Sequence, residues 1–585
     1  MSRTQSVGLA CACVGAILAC GAIRGAQAEN PVPNSANNPP CVNAAGGSES
    51  EVLRRRPGAS TSPAAEPTDC DSDRLPRVSG QEMLPPVAVP DRWHLVDELG
   101  YRVDWLDSYQ GNNPLKGDRP VFGDDGFFNV SAVSGSLLEE RRIASTAAGV
   151  PDDRGPRTAT QGELFFNQSL SLDAVLYRGD TVFRPPDWQA RLTTVLSKSG
   201  VRAGGSTVDA NTAAVQALWF EKRLREVSAH DDFDSARVGI QPLTSDFRGF
   251  LLSDQPVAAR LFGTRDNDIF QYNLALFRSL RKNSVSLNDL GASLPHNDTV
   301  LANVYWQDFP RKGITSAFVA AYNRNREPST QELLDPAGVA NAAAVRTRHD
   351  YDVGYLGYGV DGHYGWLNAT AMTYGLLGRE RQGTFTDGSE RLQAWFAAAE
   401  LSVDSDYRRW RLSLLHASGD ANPHDQRATG FDGLTANPVF AGTDSSFFIH
   451  QQLTLAGGAF NLKARNALLP TLNPADGGGQ DNFSNPGLDL AGVGLDLDFG
   501  PRWRISFDAN QLWFDQPGVL ADLMLRSVPR NFGAEFAVNA FWRPFSNQNV
   551  ILRMSNAALM RGPGYKALYD GGTPYSTFVF LTVSY

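Results

Sequence analysis

Over most of the chain, apolar and polar side chains alternate in stretches of about ten residues, the period-two signature of strands with one greasy and one wet face. The pattern begins at Phe127, and its segments are separated alternately by short turns and long polar loops. Short turns are expected near 266–268, 311–313, 361–363, 404–406, 499–501 and 545–548. Long loops are expected near 200–210, 281–298, 325–349, 377–390, 418–487, 515–531 and 558–572. Bacterial outer-membrane barrels alternate in this way, with short turns in the periplasm and long loops outside. Counting back from Tyr585 predicts an all-β chain: a transmembrane antiparallel β-barrel of about 18 strands, or about 16, with both termini periplasmic. Segment 418–487 reads as one large external loop, although SSFFIHQQLTL at 445–455 has the character of a strand.

Three strands near the C-terminus carry the clearest signal. In the first, Trp503, Ile505, Phe507, Ala509 and Trp513 share one face, opposite Arg502, Arg504, Ser506, Asp508 and Asn510. In the second, Phe532, Ala534, Phe536, Val538, Ala540 and Trp542 oppose Gly533, Glu535, Asn539 and Arg543. The third places Tyr575, Thr577, Val579, Leu581, Val583 and Tyr585 together. Each apolar face is bracketed by aromatics: Trp503 and Trp513, Phe532 and Trp542, Tyr575 and Tyr585. At about 3.3 Å per residue and a tilt near 40°, each bracket climbs roughly 25 Å, the height of a lipid-facing band, so these six are expected to form the membrane girdle. A soluble sandwich also alternates, but it has no reason to repeat aromatic brackets at that interval. It would also bury the charged face, at a cost of several kcal/mol per unpaired charge, on the order given by transfer data. A water-filled lumen removes that cost, and parity directs Arg191, Asp496, Asp498, Arg502, Arg504, Asp508, Glu535, Arg543 and Arg553 into it as pore-lining residues. Both signs are present, so no preference for anions or cations follows.

Residues 1–28 read as a secretory signal peptide: Arg3, the run VGLACACVGAILACGAI, and an Ala26-Gln27-Ala28 cleavage site. A rival reading lipidates Cys20, although Leu18 stands one place later than such a signal prefers. Cys41 and Cys70 are the cysteines left after the leader, a disulfide candidate in an oxidising compartment. Removing Arg3 and Arg24 from the 53 basic residues leaves 51 against 63 acidic ones, a net charge of about −12 that argues against a nucleic-acid partner. Beyond residue 28 no stretch approaches the roughly 18 apolar residues of a spanning helix, so membrane contact requires a barrel, the other fold that satisfies its backbone in lipid. Residues 29–90, rich in Pro, Asn, Ser and Ala, are expected to be a disordered periplasmic tail or, alternatively, a docking segment for a periplasmic partner. The barrel is expected over 91–585.

The terminal strand YSTFVFLTVSY resembles the C-terminal assembly signal of outer-membrane barrels. That resemblance implies recognition by the barrel-assembly machinery through Val579, Leu581, Val583 and Tyr585. NNPLKGDRPVFGDDGFFNVSAVSGSLLEERR at 112–142, ARVGIQPLTSDFRGF at 236–250 and LLHASGDANPHDQRATGFDGL at 414–434 resemble a large, poorly characterised group of proteobacterial outer-membrane proteins. They resemble porin-like and alginate-export-type barrels more loosely. The resemblance spans most of 92–585 and implies fold, outer-membrane location and a generic transport role, since fold alone does not fix function. The tail before residue 90 is too short for the globular plug of a TonB-dependent receptor.

Other constellations are weaker. Asp420, Asn422, Asp425 and Asp432 offer oxygen ligands of the calcium type, but without the glycine and twelfth-position acid of a helix-flanked calcium loop. An external loop of Asx turns, free to fold into the lumen, is the simpler reading. The histidines His94, His230, His296, His349, His363, His416, His424 and His450 are dispersed, and there is no HExxH, GxSxG, Walker loop or CxxCH. His416 meeting a serine across strands is the one enzymatic arrangement to consider; an interface role is the simpler reading. Asp246, Phe247 and Arg248 follow a strand end at Pro242 and are read as fixing a turn, or as a solute-orienting pair at the pore mouth. The sequence thus points to a porin-like channel, not an enzyme, passing small polar solutes and needing no cofactor, calcium in the external loop aside. The alternative is a non-conducting scaffold or sheath around a periplasmic partner such as an electron carrier.

Overall fold

The computed structural model describes residues 99–585, apart from 101, 108–111, 145–157, 180–184, 204–205, 229–231, 283–286, 327–330, 335–342, 347–349, 384, 437, 443–452, 455–460, 463–482 and 525. The expected signal peptide and 29–90 tail, with Cys41 and Cys70, lie outside the described residues, as does most of 445–455. The chain divides into two units, 1–62 and 63–585, and the strands below belong to the second.

Among the described residues, eighteen antiparallel strands close into a barrel wall, and three shorter strands, Lys116–Phe122, Arg427–Ala428 and Tyr569–Asp570, join the same sheet. In chain order the eighteen are β1 (Gly126–Ala144), β2 (Thr158–Arg178), β3 (Trp188–Ala203), β4 (Ser206–Glu226), β5 (Phe233–Ile240) and β6 (Val257–Arg265). There follow β7 (Phe270–Arg278), β8 (Asn297–Trp306), β9 (Ile314–Arg326), β10 (Asp350–Tyr364), β11 (Leu367–Glu380) and β12 (Glu390–Ser405). The last six are β13 (Arg408–Ala417), β14 (Leu488–Phe499), β15 (Trp503–Trp513), β16 (Asn531–Trp542), β17 (Val550–Arg561) and β18 (Tyr575–Ser584). Each pairs with its chain neighbour, and β18 closes the ring on β1 through Tyr575↔Arg142, Val579↔Leu138 and Val583↔Ser134. Closure leaves no unpaired edge, as lipid requires.

One end of the barrel carries tight connections, such as Gly365-Trp366 and Asp406-Tyr407, and the other carries segments as long as 418–487. Asp266, Asn267, Asp268 and Asp406 take positive φ in these turns (58°, 55°, 63° and 53°), which short polar side chains tolerate best. Two expectations need correcting. Asp361-Gly362-His363 lies inside β10, with the turn just beyond it at 365–366, and 200–210 is a near-continuous hairpin of β3 and β4, not a long loop. The first arises because Gly also occurs within strands when a neighbouring backbone comes close: a Cβ on Gly362 would stand 2.1 Å from the Gly313 carbonyl. Strands β2 and β4 run 21 residues each, about twice what a spanning strand needs, so they project beyond the apolar band on the long-loop side.

The outward face is apolar and exposed, with Leu192, Leu196, Leu218, Phe220, Leu356, Leu377, Val493, Phe507, Phe536 and Val579 among its side chains. At the short-turn end aromatics stack in a belt: Phe122 on Trp188, Trp188 on Phe220, Tyr407 against Phe499, and Trp503 on Trp542 at 5.4 Å. An apolar exterior of this size, closed by an aromatic belt, is the design of a transmembrane barrel.

Candidate functional site: the lumen and the loops inside it

The inner wall has two sectors. Across β1–β7 it carries charges and amides that pair between neighbouring strands, with the acids Glu139, Glu163 and Glu221 buried and Arg191 open to the lumen. Arg141 meets Glu163 at 3.2 Å and Glu139 at 3.5 Å. Arg191 meets Asp173 at 2.7 Å and keeps 41% of its side chain exposed. Arg237 pairs with Glu221, and Arg260 donates through Nε to Asn273 at 2.8 Å. Pairing across strands holds these charges to the wall.

Across β10–β12 the inner wall is apolar in its long-loop half: Tyr351, Val353, Tyr355, Tyr374, Leu376, Leu392 and Phe396 are buried. Segments 241–256 and 418–442 enter the barrel and cover them. Phe250 packs at a tilt against Phe396 (5.0 Å) and edge-to-face against Phe440 (5.3 Å), and Phe431 stacks on Phe396 (5.0 Å). The two segments also join each other, Ser253 N–H donating to the Thr435 carbonyl (2.9 Å) and Thr435 N–H to that of Leu251 (3.1 Å). A hydrophobic core has thus been built inside the barrel.

Two side chains fix 241–256 to the wall. Asp246 Oδ1 accepts the N–H groups of Arg248, Gly249 and Phe250, while Oδ2 accepts the Leu251 N–H and the Tyr374 hydroxyl (2.7 Å). One carboxylate therefore organises the whole turn. Arg248 donates to Glu400 (3.0 Å), Thr370 (3.1 Å) and the Val439 carbonyl (2.9 Å), reaching β12, β11 and the second inserted segment at once. Ser413 Oγ donates to the second Glu400 oxygen at 3.0 Å. Of the two sequence readings of Asp246, Phe247 and Arg248, the turn is therefore the one observed, although the turn lies inside the barrel.

Farther round, Arg411 bridges Asp508 (2.7 Å) and Asp496 (3.0 Å), and Arg504 meets Asp498 at 2.5 Å. Arg191, Asp496, Asp498, Arg504, Asp508, Glu535 and Arg553 all stand on the inner face, on the strand parity opposite the exposed apolar residues. Arg553 lies over the Phe580 ring at 4.7 Å. Arg502 and Arg543 do not line the wall. Parity was extended past the strand ends, and both sit in the short turns, bonded to Ser546 (2.8 Å) and Gln548 (3.3 Å). Among the girdle residues, Trp503, Trp513, Trp542 and Tyr575 face outward, whereas Phe532 is buried against Phe514 (5.3 Å) and Tyr565 (5.4 Å). A bulge between Leu512 and Trp513, opposite Gly533 at φ 149°, turns Phe532 inward. Tyr585 is tied to the segment before β1: Lys116 Nζ lies 3.8 Å from its ring centre, and its hydroxyl donates to the Trp105 carbonyl at 3.0 Å. Val579, Leu581 and Val583 occupy the outer face of β18.

The carboxylate-rich loop folds as Asx turns: Asn422 N–H donates to Asp420 (3.3 Å), and Arg427 N–H to Asp425 (2.7 Å). Burial pushes the Asp420 carboxyl up to about 6, with the Asp425 charge adding to the rise. His416 faces outward, its Nδ1 2.7 Å from Asp489 and its ring stacked 4.1 Å from Trp395. His416, Asp489 and Asp515 offer ligand atoms within 4.8 Å of one another, but Arg530 bonds Asp489 at 3.0 Å and lies 3.6 Å from Asp515, so one positive charge is already shared between the two carboxylates. The sequence reading missed Arg248 with Glu400, Arg411, and the Arg237–Glu221 pair. Strand parity marks the last two, but nothing in a linear pattern announces a contact between a loop and the far wall.

The fold and its interior together define a class: a large transmembrane β-barrel whose charged lumen is narrowed by inserted loops. No family model and no curated protein matches the sequence. Among solved structures the chain is similar to OccK2 (OpdF) of Pseudomonas aeruginosa, at 14% identity and a TM-score of 0.43 over 78% of this chain and 97% of that one. It is also similar to a BenF-like porin of Pseudomonas fluorescens Pf-5 (11%, 0.43, 78% and 98%) and to OccAB1 of Acinetobacter baumannii (8%, 0.43, 78% and 96%).

Proposed function

We propose that the protein is an outer-membrane porin-like channel through which small polar solutes diffuse. The observation that carries this reading is the wet inner sector, where ion-paired groups such as Arg191 with Asp173 line the wall yet stay exposed. Fixed charges of both signs replace part of a polar solute's hydration and set up a transverse field, while the loops pinned by Asp246 and Arg248 limit size. Passive diffusion needs no catalytic step and no resident metal. The exposed strand β18 is the segment we expect the assembly machinery to engage. Purified protein in planar bilayers should give discrete conductance steps with a measurable reversal potential in a salt gradient. Silence at all voltages, with a periplasmic protein co-purifying, would replace the channel with the scaffold reading.

A further inference from the structure

Just above the apolar band on the long-loop side, the outer face of the barrel carries a row of arginines that the channel reading does not use. On β11 the outward positions run Leu367, Ala369, Ala371, Thr373, Gly375, Leu377 and then Arg379. The rise from Leu367 to Leu377 is roughly 25 Å, the full height of the lipid-facing band, so Arg379 stands at headgroup level. On β12 the exposed Arg391 lies four residues above outward-facing Trp395, at the same level. Arg379 and Arg391 are direct cross-strand partners, and Arg391 is in turn opposite Arg427 of the short strand Arg427–Ala428. Ala428 is buried and Arg427 exposed, which puts all three guanidiniums on the outer surface.

Like charges placed directly across strands repel, and among the described residues no carboxylate is ion-paired with this row. Glu380 and Glu390, the next residues along each strand, turn inward and are buried. Asp352, opposite Arg379 on β10, is held by Arg326 (2.7 Å) and Tyr322 (2.8 Å). Asp350 is held by Arg326 (2.8 Å) and Arg381 (2.5 Å). The Asp425 carboxylate takes the backbone N–H of Arg427 at 2.7 Å. Arg379 Nε donates to Ser389 Oγ at 2.6 Å, and among the described residues the guanidiniums of Arg391 and Arg427 have no acceptor. The row is a set of forked donors lacking an anion, at the depth where a membrane presents phosphate.

We propose that Arg379, Arg391 and Arg427 bind the phosphate of a phosphorylated lipid headgroup in the outer leaflet. Planar guanidiniums match phosphate oxygens in bidentate fashion, and one phosphate between adjacent strands converts the repulsion into two attractions. The acyl chains would then lie along Leu377 and Trp395. The proposal relies on the membrane orientation of the proposed function but not on conduction, so a conductance trace on the same preparation tells failure of one from failure of the other.

The test uses the folded full-length chain in detergent and in nanodiscs, with native mass spectrometry and calorimetry. The probes are bis-phosphorylated lipid A, the same lipid with its phosphates removed, and inorganic phosphate. Lipid A should bind the wild type, and the double variant Arg379→Gln, Arg391→Gln should weaken it by at least about tenfold, the scale of one lost charge-assisted bond. Arg408→Gln, a charge loss on the outer face at the other end of the barrel, should leave binding unchanged, and dephosphorylated lipid should bind weakly to both proteins. Equal lipid A affinity in the double variant, or equal affinity for the dephosphorylated lipid, would overturn the proposal. Inorganic phosphate binding as tightly as lipid A would assign the row to the free anion and overturn the lipid assignment.

Discussion

Replacing Arg248 by Met should release the segment that narrows the lumen. Arg248 is buried and donates to Glu400, Thr370 and the Val439 carbonyl. Breaking a buried ion pair costs about 3–5 kcal/mol when one charge is left behind. Glu400 keeps the Ser413 hydroxyl, and the Ala441 N–H lies 3.4 Å away, so the loss belongs at the lower end. About 3 kcal/mol multiplies the undocked population on the order of a hundredfold. Hydrogen exchange reads this directly, because the amides of Gly249, Phe250 and Leu251 are bonded to Asp246 only while the turn holds. Their exchange should accelerate by about that factor while β15 amides stay protected, and the single-channel conductance should rise. Adding Glu400→Gln should cost little more, since the orphaned charge is then gone. Unchanged protection of 249–251 in Arg248→Met would refute the claim that this contact anchors the loop.

Three further outcomes are expected. Burial raises the Asp420 carboxyl to about 6, above its ordinary range near 4, so the docked loop binds that proton more tightly than the released one does. Docking of residues 418–430 should therefore weaken as pH rises from about 4 to about 6; Asp420→Asn should abolish this dependence, and proteolysis with the same pH profile in both proteins would count against it. Arg191→Gln leaves Asp173 uncompensated on the wet wall and should move the reversal potential toward cation preference, whereas a shift toward anions would contradict its lumen placement. Gly533 sits at φ 149°, and a Cβ there would meet the Met560 carbonyl at 2.4 Å, so Gly533→Val should cost at least about 2 kcal/mol of strain and reduce the heat-modifiable folded form on gels. Wild-type folding yield in that variant would remove the bulge from the explanation of Phe532.

The barrel was legible because lipid imposes a simple rule, apolar out and polar in, and β15 obeys it at every residue from Trp503 to Asn510. The rule says nothing at strand ends, which is why Arg502 and Arg543 were misplaced, and it slips by one residue at a bulge, which is why Phe532 was. The inner core was hidden for a different reason. Strands β10–β12 are apolar on both faces, as in Trp395-Phe396-Ala397-Ala398-Ala399, and such a run reveals a second buried surface without revealing what covers it. Asp246 and Arg248 were visible as polar residues after a strand end, but Tyr374 and Glu400, their partners, lie more than a hundred residues away.

The central claim, lipid on one side of each strand and water on the other, is tested most directly by spin labels along β3 in intact membranes, with Cys41 and Cys70 replaced by serine. Labels at residues 191, 193 and 195 should collide with a water-soluble relaxant, and labels at 192, 194 and 196 with dissolved oxygen in the bilayer. A profile without that alternation, or with the two sets exchanged, would contradict the account.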